Sequence, residues 1–421
     1  MGILTGEVIF MKELHSGRLF WPTTEEQYKE YSALSEDIQV LQVAIIGGGM
    51  SGSMCAYALQ NSGINVAIME RETIAGGSTS ANTGLLQFSN DIMLCELIGQ
   101  IGKQAAVRFY AACKDAVAQI GKISGKLSAN PHFVPRSSLY YASSEQDLPK
   151  LRKEYETLRQ NGFDVDFWEA DTISKHFPFR RPGAIITNGD AEINPFRFVH
   201  GMAEAATANG ARIFEHTDVV SHESTADGKH RLATASGHVV VADKVVYAVG
   251  YEPEELRGQL IKPILNRSFV AVTAVQDKNK LLHWHKQMLI WETDRPYLYM
   301  RTTMDGRVII GGLDEPTEHP IDGEQERSKR IDKLYDKLTA HFPMLDAPFE
   351  YEWSATFGES VDNLPFIGED PAMPGVYYCL GYGGNGTVYS MMASNILLAL
   401  IQEGHHPLVD IVGLKRPTLQ A

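Results

Sequence analysis

Two kinds of apolar pattern alternate along this chain. Residues 43–46, 65–69 and 244–249 are short, nearly unbroken apolar runs, which predict strands buried on both faces of a parallel sheet. A helical segment, 53–62, lies between the first two and is stopped at Gly63. Helical spacing recurs over 91–101 (Ile92, Leu94, Leu97, Ile98, Ile101), 107–117, 145–161, 196–209, 323–341 and 387–403, with Gly162 and Gly210 as stop signals. Turns at Asp227-Gly228 and Ser236-Gly237 predict hairpins leading into the strand over 244–250, and 131–141 reads as a strand pair. From 262 to 312 the pattern becomes mostly β, with strands at 269–275, 287–291, 297–302 and 307–312 and an Asp305-Gly306 turn. Such density of hairpin signals predicts a mainly antiparallel sheet distinct from the first. Residues 1–40 form an arm whose Phe20 and Trp21 are expected to pack on the body, and Thr24 with Gln27 predicts a capping box for a short helix.

Composition narrows the class of function. A chain of 421 residues exceeds the roughly 250–300 at which one core stops growing, so two domains are expected. The net charge of −14 argues against a nucleic-acid partner, which needs a basic face. Cys55, Cys95, Cys113 and Cys379 lie far apart without a C-x-x-C pair and read as reduced thiols of a cytoplasmic protein. No apolar run approaches the ~18 residues of a transmembrane helix, and the first forty residues show no signal-peptide pattern. His283, His285, His405 and His406 lack metal-site partners, so no metal is expected, and no G-x-S-x-G signature points to hydrolysis.

The chemistry concentrates in glycines. The strand ending at residue 46 runs into Gly47, Gly49 and Gly52, the three glycines of G-x-G-x-x-G, with Met50 and Ser51 between them. A helix and a second strand ending on Glu70 follow. Gly47 permits the tight turn, Gly49 lets the backbone approach a pyrophosphate, Gly52 lets helix and strand pack closely, and Glu70 is placed to accept from a ribose diol. A small, hydroxyl-rich loop, 75–87, comes directly after. A second cluster, Gly381, Gly383, Gly384 and Gly386, opens the helix over 387–403, so two helix N-termini can address one extended cofactor from opposite ends. A flavin has use for that second terminus, because its reduced form carries negative charge; NAD has none.

Read together, these segments resemble the FAD-dependent family of D-amino-acid oxidase, glycine oxidase and sarcosine oxidase. The matching pieces are 47–52 with Glu70, the loop at 77–80, Asn194-Pro195, 246–250, 305–312, 362–368 and 381–386, in family order. The fold class expected is therefore α/β: a Rossmann-like FAD-binding domain on a parallel sheet, plus a second substrate domain on a mainly antiparallel sheet. The expected division is an arm at 1–40, an FAD-binding domain from 41–130, 185–255 and 342–421, and a substrate domain from 131–184 and 256–341. The resemblance implies that Gly47, Gly49, Met50, Ser51, Gly52, Glu70 and Arg71 hold the adenosine-diphosphate half of a non-covalent FAD. It implies Ser78 and Thr79 at the pyrophosphate, Val219 at the adenine, and Ala248 and Gly250 beside the nucleotide. Thr83, Gly84 and Leu85 would line the isoalloxazine edge, with Gly383, Gly384, Asn385, Gly386 and Thr387 at its pyrimidine end. The implied activity is oxidation of the carbon–nitrogen bond of a small amine or amino acid by hydride transfer to flavin N5, with O2 or another electron acceptor.

Departures from the family pattern bear on the substrate. Where glycine oxidase-type enzymes place an arginine after W-x-G-L, this chain has Phe357 in 353–358. Arg301 and Arg267 are the substitute cations expected, and Tyr299, Tyr251 and Tyr382 are candidate pocket residues. The flavin-linking cysteine and the oxygen-activating lysine of sarcosine oxidases have no counterpart in the comparable segments, which leaves oxidase and dehydrogenase both open. Two rival readings stand beside the enzyme: a flavoprotein acting through partner binding by its arm, and an NAD-dependent dehydrogenase.

Overall fold

The computed structural model describes residues 14–25, 27–250, 264–317, 323–381 and 383–419. Its architecture is mixed α/β, built on two large sheets. The first runs in the order Phe366–Glu369, Val376–Leu380, Val239–Tyr247, Ile38–Ile46, Val66–Met69, Arg212–Phe214. Its central strands are parallel, with Val43 opposite Val66 and Lys244 opposite Val43. Val43, Ala44 and Ile45 are wholly buried: Val43 and Ile45 pack with the helices, and Ala44 faces the hydrophobic cluster that includes Val219, Leu232 and Val240. The expected hairpin strands, Val219–Ser224 and His230–Thr234, extend this sheet beside Val239–Tyr247.

The second sheet runs His15–Arg18, Phe349–Glu359, Ile264–Thr273, Val308–Pro316, Leu298–Thr302, Leu289–Glu292, Val134–Tyr141, Gly183–Glu192, Leu85–Leu86, and is antiparallel except where Leu289–Glu292 meets Val134–Tyr141. Two strands cross the expected segment divisions. Phe349–Glu359, within 342–421, pairs with Ile264–Thr273, and Gly183–Glu192 spans residues 184 and 185 to pair with Val134–Tyr141. Residues 131–141 give one strand, Val134–Tyr141, because its partner comes from beyond residue 180 rather than from the adjacent chain.

The arm does pack on the body. Phe20 and Trp21 are buried, and His15–Arg18 pairs with Phe349–Glu359 at the sheet edge. The expected helix after Thr24 does not form. The Thr24 hydroxyl instead donates to the Trp21 carbonyl at 2.7 Å, closing a 3-10 turn, Trp21–Thr23. Farther along, the Glu215 carboxylate accepts from the Tyr31 N–H at 2.7 Å and so fastens the arm beside the first sheet. Cys55 and Cys379 are buried free thiols with sulfurs 3.7 Å apart. No helix among the described residues is long and apolar enough to cross a membrane.

Candidate active site

The first glycine cluster is built around contacts that no side chain could share. Gly47 has φ +103°, and a Cβ on Gly52 would lie 1.9 Å from the Gly47 carbonyl oxygen. Gly49, by contrast, faces open space apart from Thr79 Oγ1, which a Cβ would meet at 3.3 Å. That opening lies at the N-terminus of helix Met50–Asn61, which has no side-chain cap. Thr79 accepts from the Met50 N–H at 2.9 Å and so ties helix Ser78–Ala81 to this terminus. Glu70 ends its strand beside the cradle and accepts from the Gly48 N–H at 2.6 Å and the Glu72 N–H at 2.8 Å. Ala248 follows strand Val239–Tyr247 and donates to the Ile46 carbonyl, so it runs past the same turn. Gly250 has φ +61°, Val219 is buried at the head of its strand, and Arg71 is partly exposed beside Glu72 at 3.9 Å.

The second cluster meets the first. Helix Gly386–Glu403 also lacks a side-chain cap, because the Asn385 amide donates instead to the Gln87 carbonyl at 2.7 Å and to Asn90 Oδ1 at 3.1 Å. Ser51 and Ser390 hydroxyls are 2.8 Å apart, so the two glycine-opened helices touch near their N-termini. Asn82 donates to the Thr387 hydroxyl at 3.3 Å and accepts from the Gly84 N–H at 2.7 Å. Two indoles fix this loop: Trp353 donates to the Ala81 carbonyl and Trp21 to that of Asn82. Two glycine-opened helix termini, an open glycine cradle and the neighbouring Glu70 carboxylate fit a dinucleotide that carries a second, electron-accepting ring.

Beyond the loop lies a cavity against the second sheet, lined by Ser78, Thr83, Leu85 and 383–386 and by the strand residues Ser268, Tyr299, Asp314 and Phe357. Tyr299 sits opposite Gly311, where a Cβ would come within 2.4 Å of the ring, and its hydroxyl lies 3.3 Å from Ser268 Oγ. Phe357 lines the same cavity.

The substitute cations do not. Arg301 is 2% exposed, and its guanidinium donates to the carbonyls of Thr83 (2.8 Å), Ile193 (2.9 Å) and Thr302 (3.1 Å), with Glu192 at 3.6 Å. Burial lowers its pKa to about 10 against the opposing effect of Glu192. Its bonds strap the Thr83–Gly84 edge in place and leave it out of the cavity wall, which corrects its reading as a substrate clamp. Arg267 alternates with Asn266 and Ser268, which line cavity space, and so projects from the opposite face of its strand. Tyr251 and Tyr382 lie outside the described residues.

Sequence reasoning missed Asp91 and Asp314. Asp91 Oδ2 accepts from the Gly384 N–H at 2.9 Å, at the second glycine cluster. Asp314 stands near the end of the strand Val308–Pro316, where an apolar run and Gly311-Gly312 give way to Leu313 and the acids Asp314 and Glu315; that change of polarity was the available signal. Burial pushes its carboxyl up to about 6. Glu359, also raised by burial and then by Asp91, accepts from the Asn266 amide at 2.6 Å.

A family model described as "DAO: FAD dependent oxidoreductase" matches residues 42–400. Among curated relatives, glycine oxidase of Bacillus licheniformis is 28% identical over 368 residues, covering 84% of this chain and 92% of that one. Gamma-glutamylputrescine oxidoreductase of Escherichia coli (strain K12) is 24% identical over 395 residues, covering 91% and 88%. Among solved structures, glycine oxidase from Geobacillus kaustophilus superposes with a TM-score of 0.76 at 21% identity, covering 90% and 99%, a likeness of fold.

Proposed function

Because the chain belongs to the DAO family of FAD-dependent oxidoreductases, we propose that it oxidises the carbon–nitrogen bond of a small amine or amino acid. The observation that carries this reading is the meeting of the two glycine-opened helices at Ser51 and Ser390, beside one cavity. Gly47, Gly49, Gly52 and Glu70 would hold the adenosine-diphosphate half of FAD, Ser78 and Thr79 the pyrophosphate, and Thr83–Leu85 with 383–387 the ring system. Bound there, FAD supplies a two-electron acceptor.

The residues of the chain then bind, orient and exclude water. The cavity walls hold the substrate carbon against the Thr83–Leu85 edge, and the Tyr299 hydroxyl with Ser268 offers a hydrogen-bonding pair to the amine. The carbon loses a hydride, the nitrogen loses a proton, and the resulting imine adds water, breaking the C–N bond to give a carbonyl compound and an amine or ammonia. Purified protein should be yellow, and anaerobic addition of a suitable amine should bleach it. Colour that persists across a broad panel of amines and amino acids counts against the reaction. Tight NADH binding in place of flavin would favour a dehydrogenase of the other class.

A further inference from the structure

The inner cavity is lined, among the described residues, by two carboxylates, Asp91 and Asp314, and by no arginine, lysine or histidine. Asp91, Tyr297, Asp314 and Phe357 line both this cavity and an outer one, so they form the neck between them. Around the outer space the charges are Glu96, Glu359, Lys150 and Arg295. Lys150 is paired with Glu96 at 2.8 Å. Arg295 stacks on Tyr297 at 4.7 Å and donates to the Asp91 carbonyl at 3.3 Å. Three carboxylates thus face one guanidinium along the route from solvent to the inner cavity.

They are not equally engaged. Asp91 accepts from Gly384 and Glu359 from Asn266. The Ser268 hydroxyl acts on the Asp314 carboxyl, yet one of its oxygens, Oδ1, is buried and has no hydrogen-bond partner. A buried acceptor is costly when unpaired, and an ionised carboxylate accepts only, so what satisfies it is a donor, best a cationic one. A substrate carboxylate at this neck would meet like charge, and Phe357 beside it offers an apolar wall for a methylene chain.

We infer that the substrate is an elongated diamine whose reacting amine enters the inner cavity near Ser268 and Tyr299, while its second, cationic nitrogen is held at the neck by Asp314, with Glu359 beyond. The inference rests on the proposed C–N oxidation and narrows its substrate to one class. The test is anaerobic stopped-flow bleaching of the FAD-loaded full chain with 1,4-diaminobutane, 1,5-diaminopentane, 1-aminobutane and glycine. The diamines should bleach the flavin at concentrations at least tenfold lower than 1-aminobutane, with glycine poorest. D314N should raise the half-saturating diamine concentration at least tenfold with little change in the limiting rate, removing the advantage over the monoamine, and D314E should restore part of it. A preference for glycine or 1-aminobutane, or a D314N enzyme that saturates with diamine as the parent does, overturns the diamine assignment and leaves the C–N oxidation standing. A flavin that no amine or amino acid bleaches overturns both.

Discussion

Gly52→Ala separates a ligand-binding glycine from an ordinary helical one. Its Cβ would lie 1.9 Å from the Gly47 carbonyl oxygen and 3.0 Å from the Gly47 carbon, against an ordinary contact of about 3.4 Å or more. Both neighbours are backbone, so no side-chain rotation relieves the clash. The N-terminus of helix Met50–Asn61 must move away by roughly 1.5 Å, at a cost of about 1–3 kcal/mol for overpacking. That movement carries the first-turn N–H donors away from the cradle. Each charge-assisted hydrogen bond to a phosphate is worth about 1.5–3 kcal/mol, so losing even one weakens FAD by roughly tenfold or more. The control is Gly99→Ala, within helix Leu94–Ile101, where a Cβ meets nothing within 4 Å. That change should be neutral or stabilising by about 0.5–1 kcal/mol through reduced chain entropy. Fluorescence titration of apoprotein with FAD reads the affinities, and flavin absorbance per chain after purification reads retention. A Gly52→Ala protein that binds FAD as tightly as the parent would refute the placement of the pyrophosphate at this helix.

Other outcomes follow from the same geometry. Arg301→Met leaves three backbone carbonyls without their donor and removes one of two cations near buried Glu192, so calorimetry should show a loss of about 3–5 kcal/mol and weaker FAD binding; unchanged stability with only a raised KM would restore Arg301 as a substrate clamp. Phe357→Arg places a guanidinium at the neck and should shift relative kcat/KM from amines toward amino acids by at least about tenfold, about 1.4 kcal/mol; no shift would remove the neck from substrate selection. Burial pushes the Asp314 carboxyl up to about 6, with a hydrogen bond from Ser268 opposing the rise, Asp91 and Glu359 adding to it and Arg295 opposing it, so KM for a cationic amine should climb as pH falls below about 6; a profile unaltered in D314N contradicts that. Asp362 is buried against Arg416 at 2.6 and 2.8 Å, and although burial raises its carboxyl pKa, Arg416 prevails and holds it below the usual range. Its contribution is therefore present above the unfolded value near ~3.9 and lost as pH falls through the lower folded one, so Asp362→Ala should cost about 3–5 kcal/mol at pH 7 and converge with the parent in acid.

The parallel sheet and both glycine clusters were legible because each rests on local chemistry. Val43–Ile46 announces a strand buried on both faces, and Gly52 admits no side chain against Gly47. Long-range pairing was not legible. Nothing near residue 131 says that Val134–Tyr141 will pair with a strand ending at Glu192, or that Phe349–Glu359 will join the larger sheet. Arg301 illustrates the same limit at a single side chain. It lies on a strand that contributes Tyr299 to the cavity wall, yet its donors reach carbonyls of Thr83 and Ile193, whose positions only the assembled fold brings within range. Asp91 escaped for the converse reason: its significance comes from the Gly384 N–H nearly three hundred residues away in sequence. The capping box at Thr24 failed because the Trp21 carbonyl captured the hydroxyl that would have capped a helix.

The central claim is that two glycine-opened helices, far apart in sequence and joined at Ser51 and Ser390, grip one FAD. A crystal structure of the yellow, purified protein tests it most directly. One FAD per chain is expected, its pyrophosphate at the N-terminus of Met50–Asn61 and its isoalloxazine ring between Thr83–Leu85 and 383–386. A flavin lying away from either helix terminus, or a nicotinamide dinucleotide in its place, would contradict the account.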